Sequence, residues 1–106
     1  MNASEFVEYW KKEKNDTLEL YTSSKVETDV SATIEKMKLS LEERKLMTSV
    51  IDGVLTDTYF SLLLGLDGSG SIGGMQENFK LLDESGNLIS GFGEIETEAW
   101  KQFHDE

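Results

Sequence analysis

The chain contains no cysteine, no proline and a single histidine. Without cysteine there can be no disulfide scaffold, no thiolate zinc site and no cysteine nucleophile. Without proline, breaks between elements must come from glycine and polar clusters. The lone imidazole, His104, falls in the last turn of an expected terminal helix, so no nucleophile has a histidine base at a predictable place. Basic side chains are scarce. Ten Lys and Arg stand against 21 Asp and Glu, a formal net charge of −11. The deficit is uneven: residues 1–50 hold 8 basic and 10 acidic side chains, residues 51–106 hold 2 and 11. The second half therefore repels phosphate backbones, and no nucleic-acid partner is expected. A basic protein is the natural complement, although acidic surfaces also serve plain solubility.

Long hydrophobic runs are missing too. The longest, Tyr59 to Leu66, is interrupted by Ser61 and Gly65 and is too short to cross a bilayer. The opening MNASEFVEYW has no basic stretch followed by an apolar one, so no secretory leader is expected. A cytoplasmic location without a membrane partner follows. The 106 residues, 38% hydrophobic and 29% charged, suit one globular domain over 1–106 with a single core.

Seven of the nine glycines lie between residues 65 and 91. The first 60 residues read as helical and the remainder as turns and strands. A helix is expected over 4–14, with Asn2 or Ser4 as cap and Asn15-Asp16 as the stop. Residues 18–39 fit both a helical and an alternating period; a helix over about 29–39, capped by Asp29, is favoured. Ser40-Leu41-Glu42-Glu43 is a capping box. The helix behind it should reach about Leu64 and end at Gly65 or Gly68, unless it breaks at Asp57-Thr58. Glu77–Leu82 and Leu88–Ser90 read as the strands of a hairpin, with Asp83 to Asn87 as its turn. A closing helix is expected over Glu96–Phe103, with Thr97 as cap. The resulting fold class is α+β, with helices packed on a small antiparallel sheet at about 76–92. Trp10, Val50, Val54, Phe60, Leu62 and Leu64 are expected in the core, together with Phe79, Leu81 and Trp100.

Gly68-Ser69-Gly70-Ser71-Ile72-Gly73 matches the glycine spacing of dinucleotide-binding loops. That chemistry needs a strand before it, a helix after it and a βαβ repeat, for which the chain is too short. As a P-loop the segment lacks the lysine. As a calcium loop it offers Asp67, Ser69 and Ser71 at positions one, three and five, but Ile72 stands where the sharp turn needs glycine. No metal ion and no cofactor is expected. Asp57 is the carboxylate that stands out. At 100° per residue from Leu46 it lies at about 20°, between Leu46 and Leu64 at 0° and Val50 at about 40°. In a continuous helix it would lie within the apolar sector, as a buried acid with Thr58 and Tyr59 beside it or as a satisfied structural one.

The stretch IDGVLTDTYFSLLLGLDGSGSIGG followed by FKLLDESGNLIS resembles small bacterial proteins and some immunity-type proteins, in a helix ending Leu-Asp-Gly and a D-x-x-G-N turn. The likeness is one of turn chemistry and assigns no functional residue. The functional expectation is a non-catalytic protein-interaction module, immunity-like in its most concrete form, with its acidic second half facing a basic partner. The alternative is a small-ligand or metal-binding protein using the 65–76 loop and Asp57, with Tyr59, Asp67, Ser69 and Ser71 as its other ligand-binding candidates. Self-association through an open hairpin edge is a further possibility.

Overall fold

The computed structural model describes residues 1–90 and 93–104. Within them the protein is all-helical: α1 (Ala3–Thr22), α2 (Asp29–Lys36), α3 (Leu41–Leu66) and α4 (Glu94–His104). Each start has its own chemistry. Asn2 Oδ1 accepts the Glu5 N–H at 2.8 Å and caps α1. Thr28, one residue earlier than expected, forms a reciprocal box with Ser31 and caps α2. The Ser40–Glu43 box opens α3 as the sequence suggests. The Ser40 N–H that Glu43 accepts holds this carboxyl below its usual range. α1 does not stop at Asn15-Asp16. Asp16 pairs with Lys12 one turn back at 2.6 Å, and the helix runs on to Thr22. α3 is unbroken at Asp57-Thr58 and ends where Gly68 takes the left-handed conformation, φ 77°.

The core sits at one end of an elongated molecule of 47 × 28 × 27 Å. The first turns of α1 (Ala3, Val7), the last of α3 (Leu63) and the inner face of α4 (Ile95, Ala99, Phe103) meet there. α1 and α3 run antiparallel, so Val7 lies level with Leu63 and Lys14 reaches Asp52. Lys14 is only 7% exposed; its stem packs between the helices while the ammonium pairs with Asp52 and Asn15. Lys11 donates to the Gln102 carbonyl near the end of α4, and its ammonium stands 5.6 Å from the Phe103 ring centre. Asp67 closes the junction, its Oδ2 accepting the Glu96 N–H in the first turn of α4 at 3.0 Å.

The α+β expectation is overturned. Where a sheet was expected at 76–92, the described residues hold only one single bridge, Leu82↔Leu88, with another, Ile72↔Met75, in the loop before it; positions 91 and 92 lie outside the description. The turn itself forms. Asp83 Oδ1 accepts the N–H groups of Ser85 and Asn87, both at 2.9 Å. With the chain's terminal ammonium on its other oxygen, the carboxyl is lowered to about 2. The ladder fails to extend because a side chain replaces it. The Leu81 carbonyl still takes the Ile89 N–H at 2.7 Å, but buried Ser90 accepts the Leu81 N–H and donates to the Phe79 carbonyl with its side chain, in place of further backbone pairs. α4 begins two residues before the expected start, and Thr97 bonds the Gly93 carbonyl from inside the helix rather than capping it.

The core is also not the expected one. Val50 and Val54 are 59% and 58% exposed, Trp100 and Phe79 are exposed, and Trp10, Phe60 and Leu81 pack half-buried around the centre. The reason lies in α3, which carries apolar residues all round. Periodicity cannot say which side of such a helix faces inward, and α1 with α4 chose the side of Tyr59 and Leu63.

Candidate functional site

Of several concavities of similar size, the one at the seam between α1 and α3 is lined by aromatic rings. Phe6, Tyr9, Trp10 and Glu13 fall three or four residues apart and so share one side of α1. Across from them α3 contributes Tyr59 and Leu62, and Met1 closes the end. The cleft encloses about 510 Å³. The rings brace one another: Trp10 meets Tyr59 edge-on at 5.7 Å between centres and Phe6 at 5.9 Å. The wall is almost entirely carbon, and Glu13 is its one ionisable carboxylate.

Leu62 is the ridge between this cleft and a second, shallower groove of about 360 Å³. The groove is bounded by Asp57, Thr58 and Ser61 of α3 and by Ser71 to Gly73 of the following loop. The structure thus brings together three of the five sequence-derived candidates. Tyr59 lines the cleft, and Asp57 and Ser71 line the groove beside it. Asp57 is not a buried acid. It shares a side of α3 with Leu46 and Val50 as the helical angles imply, but that side faces solvent.

The other two candidates are engaged elsewhere. Asp67 holds the first turn of α4. The hydroxyl and N–H of Ser69 both bond the Leu64 carbonyl, closing the end of α3. The Gly70 N–H goes to the same carbonyl and the Gly68 N–H to that of Gly65, so the first half of the glycine-spaced segment spends its amides closing α3. Its remainder folds tightly, with Ile72 and Met75 bonded across Gly73 and Gly74 (φ 61° and 82°). Among the described residues no three His, Asp or Glu side chains gather as a metal site. His104 is exposed at the end of α4, with its ring edge-on to Phe60 at 4.4 Å and beside Trp100 at 5.2 Å.

Phe6, Tyr9 and Trp10 are visible in the sequence only as an aromatic cluster, and Glu13 carries no signal there. What could have marked them is that the apolar side of α1 includes Tyr9 and Glu13, residues that do not belong in a sealed core.

A second surface lies at the far end, where α2 meets the N-terminal half of α3. Leu46, Val50 and Val54 are exposed there beside Val30 and Met37. By length and composition α3 could cross a membrane, which the interrupted Tyr59–Leu66 run did not suggest, yet Asp52 and Asp57 stand in its middle and α1 and α4 pack on it. Compared with protein-family models, with curated proteins and with solved structures, the chain matches none.

Proposed function

We propose that the protein is a non-catalytic binding module that receives a basic protein partner in its aromatic cleft. One observation carries this reading. Tyr9, Trp10, Tyr59, Met1 and Leu62 converge on a single open concavity with Glu13 in its wall and Asp57 just beyond its ridge. Tyr, Trp, Phe and Met are the residues enriched where proteins bind proteins, and rigid aromatic anchors supply most of the affinity. The surrounding charge, −11 over the chain, attracts a cationic partner and raises its association rate. The partner this cleft suits carries an apolar anchor flanked by Lys or Arg. An immunity-like role, in which the module occludes the working surface of a basic protein, is its concrete form.

The test uses the intact chain against an array of peptides that pair one aromatic or aliphatic residue with flanking Lys and Arg, followed by titration of the best binder. Binding should fall at least tenfold in Trp10→Ala and in Glu13→Lys, and should weaken as salt is raised through the physiological range. It should survive Leu46→Arg, far from the cleft. Affinity unchanged by the two cleft variants, or indifferent to salt, overturns the reading.

The cleft volume also favours a second reading, a small organic ligand, because sites for such molecules span about 300–1,000 Å³. Under that reading Asp57 and the 65–76 loop form the polar margin through Ser71. A melting-temperature panel with small aromatic and cationic compounds, nucleotides and divalent ions separates the two. A concentration-dependent rise supports the small ligand, and a flat panel removes it.

A further inference from the structure

α3 carries apolar residues on every side, between its charged and hydroxyl ones, and apolar residues so placed are ordinarily covered. This fold covers one side. Leu46 (66% exposed), Val50 and Val54 point outward, and Val50 lies about 160° around the helix from the Asp52 contact with α1. Met37 (51% exposed) and Val30 of α2 are open as well, and half-buried Ile34, Met47 and Ile51 join them to the α3 stripe. The result is one continuous apolar face across two helices. Gly53 lies on it, with nothing within 4 Å of the place where a Cβ would stand. A mid-helix glycine costs roughly 1 kcal/mol relative to alanine, and in exchange it lets another backbone come close.

We propose that a second copy of the chain covers this face, giving a two-fold dimer through α2 and the first half of α3. The area suits it. From the exposed fractions, the apolar side chains offer roughly 600 Å² per copy, against about 800 Å² per partner in a standard interface, and the polar rim supplies the difference. The charge suits it better. Residues 23–52, which build this end, carry five Lys or Arg against six Asp or Glu, a net of −1 out of −11. Two acidic side chains at its margin are already paired, Glu35 with Arg44 at 3.0 Å and Asp52 with Lys14. Two copies that repel each other everywhere else can meet here, with their acidic ends at opposite extremes of the assembly. The same neutrality argues against the other occupants. An anionic membrane surface needs an excess of Lys and Arg, and a basic protein is drawn to the acidic end instead.

This proposal shares no residue with the cleft, so either can fail alone. Its test is sedimentation of the intact chain over a wide concentration range at low and high salt. A species of twice the 11.9 kDa chain mass is expected, and its dissociation constant should tighten several-fold in high salt as repulsion is screened. Val50→Arg should leave the helical circular dichroism unchanged and shift the protein to monomer. Leu88→Arg, at the other end, should remain dimeric. Because the chain has no cysteine, two single-cysteine variants give a readout that does not depend on the arginine variant folding. Val50→Cys should cross-link between copies under a short bifunctional reagent, and Leu88→Cys should not. A monomer at every concentration and salt, a dimer untouched by Val50→Arg with both cysteine variants cross-linking alike, or flotation of the monomer with anionic vesicles through this face overturns the proposal.

Discussion

Gly65 makes a prediction that changes sign with its neighbour. It lies buried in the last turn of α3, where a Cβ would overlap Ile72 Cγ1 and stand 2.6 Å from its Cδ1. Alanine at this position should raise helix propensity by up to about 1 kcal/mol. It must also expel Ile72, which is 36% exposed and so about two-thirds covered. Full burial of such a side chain is worth about 1.5–3 kcal/mol, so losing the seat costs about 1–2 kcal/mol, with crowding in addition. Gly65→Ala should therefore destabilise the protein by about 1 kcal/mol, near 4 °C in melting temperature for a chain of this size. In an Ile72→Ala background the same change should stabilise by about 0.5–1 kcal/mol, a coupling of about 2 kcal/mol in a double-mutant cycle. Urea titrations of the four variants, followed by far-ultraviolet circular dichroism, measure it. Equal destabilisation in both backgrounds would refute the reasoning, because it would mean that Gly65 is required by the backbone and not by Ile72.

Four further outcomes follow from the packing. Asp52→Ala should cost on the order of 2 kcal/mol because it strands the covered Lys14 ammonium, whereas Lys14→Met should cost less than 1 kcal/mol, since Asp52 is 47% exposed and stays hydrated; chemical denaturation of each ranks them. Lys38, φ 50°, follows α2 in the left-handed region without being glycine, so Lys38→Gly should raise stability by about 0.5–1 kcal/mol in the same assay. Asp67→Ala removes the acceptor for the first turn of α4 and should cost about 1–2 kcal/mol while leaving binding at the cleft unchanged, as calorimetry of both properties would show. Asp83 is held at about 2 against an ordinary 3.8, so its contribution is complete above pH 4 and is lost as pH falls toward 2. A melting-temperature profile should drop over that window, and Asp83→Asn should flatten part of the drop.

Much of the local structure was legible in the residue order, because its causes are local. The Ser40–Glu43 box, the Asn2 cap, the left-handed Gly68 and the Asp83 turn each depend on side chains reaching backbone groups a few residues away. The acidic imbalance and the missing thiols are likewise properties of the chain itself and hold in any fold. Tertiary contacts decided the rest. The segment 77–82, expected as a strand, became extended chain with a single bridge, because the Ser90 side chain took the Leu81 N–H and the Phe79 carbonyl. Asp16 could have ended α1, but it pairs with Lys12 within the helix, and beyond it Tyr21 and Thr22 line a groove with Arg44, Met47 and Thr48 of α3.

The candidate site divides in the same way. Asp57, Tyr59 and Ser71 were among five candidates named from the sequence with Asp67 and Ser69, while the meeting of Tyr59 with Phe6, Tyr9, Trp10 and Glu13 required α1 to lie antiparallel across α3. The decisive case is α3. Its capping box and spacing pointed to a long helix with a break at Asp57-Thr58 left open, yet Leu46, Val50 and Val54 are as apolar as Tyr59, Phe60 and Leu63, so composition leaves its inner side undetermined. That side was chosen by where α1 and α4 could both reach, and the apolar stripe left over became surface.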